Sequence, residues 1–187
     1  MTTTGNFAAP VDQRYLDDYI AGSAFEFGQI SLSEDEIIDF ARRFDPQPIH
    51  TDAQAAAHGP FGGLIASGWH TASVMMRLFT DHFLSHVASI ASPGVDELRW
   101  LMPVRPGDAL SIRVTILEVK RSRSKPDRGT VKTFVEVLNQ KKEVVMSLRG
   151  TNILRAKKEA LSPQVLCAEV QAAAPAFSTD LALRKVF

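Results

Sequence analysis

The period of the hydrophobic pattern changes once along this chain, near residue 94, and nothing else in the sequence restricts the fold as much. Before the change, Ser67 is placed to cap a helix whose Ala72, Met75, Met76, Phe79 and Phe83 form an apolar stripe. That helix is predicted to reach about residue 86, where small residues and Pro93-Gly94 close it. After the change the period is two. Leu98, Trp100 and Met102 alternate, and so do Leu110, Ile112, Val114 and Ile116, before the phase flips to Leu117 and Val119 and predicts a bulge. Val131 to Val137 and Val144 to Leu154 read as two further strands joined across Asn139-Gln-Lys-Lys142. A helix this apolar cannot sit on a surface, and strands with one greasy face need a cover. The economical solution is an α+β domain, one antiparallel sheet wrapped around one long helix.

Upstream, Ser33-Glu34-Asp35-Glu36 is a capping box, followed by Ile37, Phe40, Ala41 and Phe44 at helical spacing. Pro46 and Pro48 stop that helix, and Thr51 with Gln54 reads as a second box opening a short helix that Gly59-Pro60 ends. Phe25 to Ile30 is a candidate first strand that pairs far along the chain. Residues 1–23 read as a polar lead-in with Tyr15 and Tyr19, residues 24–155 as the folded domain, and residues 156–187 as an appendage with a helix around Pro163 to Ala173. A length of 187 residues suits that organisation.

Lys+Arg and Asp+Glu number 21 each, so no net charge draws the chain to nucleic acid or to an anionic membrane, and none keeps copies apart. A single cysteine, Cys167, excludes an internal disulfide and fits a reducing compartment. The first residues lack a basic and an apolar signal region, and no apolar run approaches a membrane span. The expectation is a soluble cytoplasmic protein.

The densest polar feature is Asp45-Pro-Gln47-Pro-Ile-His50-Thr-Asp52, where two prolines stiffen the path between a carboxylate and an imidazole. General acid–base chemistry needs two such groups within reach of one water. The same residues also suit a structural role, with Asp45 capping a turn and His50 packing. Gly62-Gly63-Leu64-Ile-Ala-Ser67-Gly68-Trp69-His70 leads into the long helix, whose first N–H groups could meet an anion or an oxyanion; close packing would equally favour the glycines. Ala66-Ser67-Gly68 is no nucleophile elbow, because Ile65 stands where glycine is needed. His50, Asp52 and His58 lack a metal-binding spacing, and no phosphate-loop motif occurs. Lys120-Arg121-Ser-Arg123-Ser-Lys125-Pro-Asp-Arg128 is a basic run between strands, which reads as a solvated hairpin or as a contact for a small ligand's phosphates.

Asp45-Pro-Gln-Pro-Ile-His50, with Gly68 opening an apolar helix eighteen residues after His50, resembles the hydratase motif of the MaoC-like dehydratases, the (R)-specific enoyl-CoA hydratases. Leu98 to Asp108 is similar to the strand and turn that follow the helix in that family, and the likeness spans roughly residues 25–155. Gln47 replaces the family's usual Asn, and Ser67 its usual His, while the acid–base pair is intact. The resemblance implies a hot-dog fold and a homodimer or higher homo-oligomer, with sheets joined edge to edge and active sites near the subunit interface. It implies an acyl-CoA substrate, with Asp45 and His50 holding the water that adds to a 2-enoyl thioester and Gly68 N–H polarising its carbonyl. Gln47, Gly63, Leu64, Ser67 and Trp69 are then the expected substrate-binding residues. No metal or redox cofactor is implied, coenzyme A entering only with the substrate. A hot-dog thioesterase and a non-catalytic acyl-binding subunit are the alternatives.

Overall fold

The computed structural model describes residues 7–157. After a short 3-10 helix, Leu16–Asp18, the chain forms β1 (Ala24–Ser31), α1 (Glu34–Phe44), α2 (Pro48–Thr51), α3 (Ala53–Ala57) and α4 (Gly68–His82). The remaining strands are β2 (Ser89–Trp100), β3 (Ala109–Arg121), β4 (Arg128–Leu138) and β5 (Val144–Arg155). One five-stranded sheet results, in the order β1-β3-β4-β5-β2, with every pairing antiparallel. The predicted architecture of a sheet around one long helix is therefore what forms. Among the described residues no helix is long and apolar enough to cross a membrane.

The packing follows the two periods. Leu110, Ile112, Val114 and Ile116 of β3 are wholly buried, and they meet Val74, Met75, Leu78 and Phe79 of α4 in one core. The phase flip in β3 is a register shift between Ile116 and Glu118. β1 runs so close to the helix that a Cβ on Gly28 would lie 2.4 Å from Leu78 Cδ2, and its φ of +65° is in any case one that favours glycine. The opposite side of α4 is different: Trp69 and Met76 are exposed, although Met76 belongs to the predicted apolar stripe.

Several boundaries differ from the sequence expectation. α4 ends at His82, not near residue 86, because its last carbonyls have other partners. The Arg14 guanidinium donates to the carbonyls of His82 (3.1 Å) and Phe83 (2.7 Å), and the Tyr19 hydroxyl donates to Phe83 O (2.9 Å). The segment read as a lead-in is thus part of the core from Phe7 onward: Phe7 stacks on Phe25 at 4.1 Å, and Arg14, Leu16 and Tyr19 are buried. β2 begins at Ser89 and contains Pro93-Gly94, which read as a terminator. As an edge strand with register shifts on either side of this pair, it tolerates a proline. The second capping box is not Thr51 with Gln54. Asp52 Oδ1 accepts the N–H groups of Gln54 and Ala55, while Thr51 donates to Gln47 O. The helix expected around Pro163 to Ala173, and Cys167, lie outside the described residues.

Replacing Arg14 by Met should leave the carbonyls of Ala9 and His82 without donors, and Phe83 O with the Tyr19 hydroxyl alone, and lower stability by about 2–4 kcal/mol. Urea denaturation measures it; a loss below about 0.5 kcal/mol would mean that Arg14 does not close the helix.

Candidate active site

Three segments are tied together at the start of α4. Asp45 is the C-cap of α1, its N–H bonded to Ala41 O. Pro48 opens α2 at a position where a missing N–H costs nothing, and two residues later His50 is buried. Its Nδ1 lies 2.9 Å from Ile65 O, while Ile65 N–H donates back to Ile49 O at 3.2 Å. Ala66 N–H donates to Val104 O at 2.8 Å. Ser67, fully buried, then does two things at once. Its Oγ accepts Trp69 N–H at 3.2 Å as the N-cap of α4, and donates to Asp45 Oδ2 at 2.7 Å.

Asp45, His50 and Gly68 consequently face one cavity of about 440 Å³. Gln47 and Trp69 also line it. Ser67 stands behind Asp45, outside the lining. Gly63 and Leu64 are not in the lining either: Gly63 sits beside the Arg105 side chain, and Leu64 is part of the hydrophobic core. Phe61, Trp100, Leu101 and Met102 complete an apolar wall that sequence reasoning did not assign to the site. Trp100 matters most. A Cβ on Gly68 would fall 2.4 Å from its indole Cε2, so Gly68 has a packing role as well as an open N–H. Among the described residues no acceptor is paired with Gly68 N–H.

The electrostatics are unequal across the pair. Gln47 Nε2 donates to Asp45 Oδ1 at 2.7 Å, and Ser67 to Oδ2. These two bonds, helped by the nearby imidazole, hold the Asp45 carboxyl below its ordinary range. His50 Nδ1 faces a carbonyl, which can only accept, so Nδ1 carries a proton, and in the neutral imidazole Nε2 is the acceptor. Nε2 lies 3.5 Å from Asp45 Oδ2. With the imidazole neutral, two acceptors face each other, and a water between or beside them can donate one proton to each.

His70 is not part of this arrangement. Its ring stacks on Phe40 at 4.5 Å between α4 and α1, where burial pushes its pKa down. His58 Nδ1 contacts Gln54 O at 3.0 Å, and among the described residues no three His, Cys, Asp or Glu side chains converge as metal ligands would.

Residues 19–139 match the MaoC like domain. The chain belongs to the MaoC-like dehydratase family. Protein YdeM of Bacillus subtilis is 31% identical over 126 residues, which are 67% of this chain and 88% of YdeM. The 3-hydroxyacyl-thioester dehydratase Z of Mycobacterium tuberculosis is 30% identical over 64% of this chain and 83% of its own. Among solved structures, the MaoC-like dehydratase from Rhodospirillum rubrum superposes with a TM-score of 0.71 at 38% identity, covering 78% of this chain and 99% of that one. The sheet-around-helix architecture is accordingly the hot-dog fold of these proteins.

Because its pKa is lowered in the folded state, Asp45 contributes stability that is present above the unfolded value of about 3.9 and is lost as pH falls through the lower, folded one. Ser67→Ala should raise the Asp45 pKa towards its ordinary value and, by removing the cap of α4, cost about 1 kcal/mol at neutral pH. Carboxyl carbon NMR across an acid titration reads the first effect. An Asp45 titration identical in both proteins would disconnect Ser67 from the carboxylate.

Proposed function

We propose that this MaoC-like protein catalyses the reversible hydration of a 2-enoyl-CoA thioester to a 3-hydroxyacyl-CoA. The observation that carries this reading is the approach of His50 Nε2 to Asp45 Oδ2, in the cavity that the start of α4 also faces. Water held by the pair adds its oxygen to the β-carbon while one of its protons passes to His50 Nε2. Electrons of the carbon–carbon double bond move onto the thioester oxygen, where Gly68 N–H and the helix dipole meet the developing charge. The proton on His50 then moves to the α-carbon, so that the imidazole is neutral again and the sum is one water added. Asp45 stays ionised, orients the water and stabilises the transient imidazolium. The similarity to a 3-hydroxyacyl-thioester dehydratase supports the same reaction class.

Two features weigh against the alternatives. A thioesterase of this fold needs a carboxylate free to attack a carbonyl or to activate water at it, whereas both Asp45 oxygens already accept strong hydrogen bonds. An acyl-binding subunit has no use for a buried imidazole aimed at a carboxylate.

The active form in this reading is a homodimer. β2 is an edge strand exposed along most of its length, Val95 is 55% exposed, and Trp69 and Met76 of α4 lie uncovered. Pairing β2 with its copy would cover that edge. Light scattering at micromolar concentration should give twice the chain mass; an active monomer would contradict it.

Asp45→Asn and His50→Gln should each reduce hydration of crotonyl-CoA by about two orders of magnitude or more, followed as loss of the enoyl absorbance. Thiol release in a parallel assay should stay at background. Near-normal turnover in either variant, or thiol release in place of hydration, would overturn the reading.

A further inference from the structure

A second hollow, of about 90 Å³, lies on the same side of the sheet as the Asp45–His50 cavity. Met75, Met76 and Phe79 of α4 form one wall, and Val95 of β2 with Leu148 and Gly150 of β5 form the other. The register sets its distance from the catalytic groups. Trp100 pairs with Met146, Leu98 with Leu148 and Val95 with Gly150. Met146, Leu148 and Gly150 share one face of β5 by the strand's period of two, and buried Met146 shows that this face meets the core. From Met146 to Gly150 is about 13 Å at about 3.3 Å per residue, and from Gly68 to Met75 is about 11 Å along α4 at about 1.5 Å per residue. Helix and sheet therefore run together from the cavity to the hollow.

Trp100 stands between the two. Its indole lies so close to Gly68 that a methyl group there would have no room, and it meets the Trp69 ring in a T at 5.3 Å. Trp100 lines the cavity, Ala72 and Leu98 pack on the core in the stretch beyond it, and among the described residues none lines both hollows. In the hydration reading the thioester carbonyl meets Gly68 N–H, so the acyl tail begins beside this indole. A tail that follows α4 meets the indole before it reaches the hollow. Each methylene that a closed apolar pocket cannot hold costs roughly tenfold or more in kcat/KM.

We infer that Trp100 is a specificity-determining residue: its indole ends the acyl pocket and confines hydration to short, crotonyl-sized 2-enoyl thioesters. This rests on the hydration reading. The kcat/KM for crotonyl-CoA should exceed that for trans-2-decenoyl-CoA about a hundredfold or more. Trp100→Ala should raise kcat/KM for decenoyl-CoA about tenfold or more in absolute terms, a gain that general damage to the fold does not produce. Adding Gly150→Val fills the hollow from the sheet side, where a Cβ meets Leu148 Cδ2 at 3.3 Å and Gly94 O at 3.7 Å. It should remove that gain while crotonyl-CoA turnover stays at the Trp100→Ala value. Should Trp100→Ala not fold, Trp100→Leu makes the same comparison with an apolar side chain kept on the strand. Equal use of both substrates by the wild type, an unchanged ratio in the variant, or a gain that survives Gly150→Val would each overturn the role of Trp100.

A binding measurement separates the indole wall from the reaction. Butyryl-CoA and decanoyl-CoA are saturated and cannot be hydrated, and calorimetric titration of the full chain gives their Kd values. The ratio of the two should shift about tenfold or more towards decanoyl-CoA in Trp100→Ala. That shift, in a protein that hydrates neither enoyl thioester, would support the wall and discard the reaction. Hydration of crotonyl-CoA with no shift would keep the reaction and overturn the wall.

Discussion

An α-helix leaves its first N–H groups and last carbonyls without partners of its own, and enclosing the helix in a sheet removes the water that would otherwise serve. In this protein the two ends of α4 meet that demand differently. At the C-terminal end Arg14 and Tyr19, from the chain before β1, bind the carbonyls of His82 and Phe83. At the N-terminal end Ser67 satisfies Trp69 N–H, and Gly68 N–H has no acceptor among the described residues beside a cavity. The donor that folding leaves unused is the donor the proposed reaction requires.

Ser67 connects the scaffold to the chemistry. One hydroxyl accepts from the helix and donates to Asp45, so the position of the carboxylate is set by the start of α4 and not by the loop alone. The exchange of Ile49 and Ile65 hydrogen bonds, with His50 Nδ1 on Ile65 O, fixes the imidazole against the same segment. The paired groups differ because their partners differ: Asp45 accepts two hydrogen bonds and stays ionised, while His50 has one nitrogen committed and one free. That asymmetry favours His50 as the group that takes and returns the proton.

Much of this was legible in the sequence because it is local. Ser33 and Ser67 announced their helices, the change of period announced the sheet, and the flip at Leu117 announced the bulge in β3. The Asp45–His50 spacing pointed to the cavity because two prolines shorten the list of conformations between them. What was not legible depends on contacts between distant segments. Nothing near Arg14 or Phe7 signals that they close the far end of the core. Trp100 alternates as any strand residue does, and only the folded chain lays its indole against Gly68. Gly63 and Leu64 belonged to a conspicuous stretch, yet the turn that brings Ile65 and Ala66 to the cavity points Leu64 into the core. Pro93-Gly94 read as an ending because edge position is a property of the sheet, not of the dipeptide.

The contact between Gly68 and Trp100 means that enlarging this glycine would disturb packing and chemistry together. Replacing the amide at residue 68 by an ester, through incorporation of glycolic acid, removes the N–H alone and leaves the indole contact in place. Hydration of crotonyl-CoA should then fall about 10²–10³-fold, with the thermal midpoint little changed. Turnover close to that of the unmodified protein would show that the thioester carbonyl does not meet the start of α4.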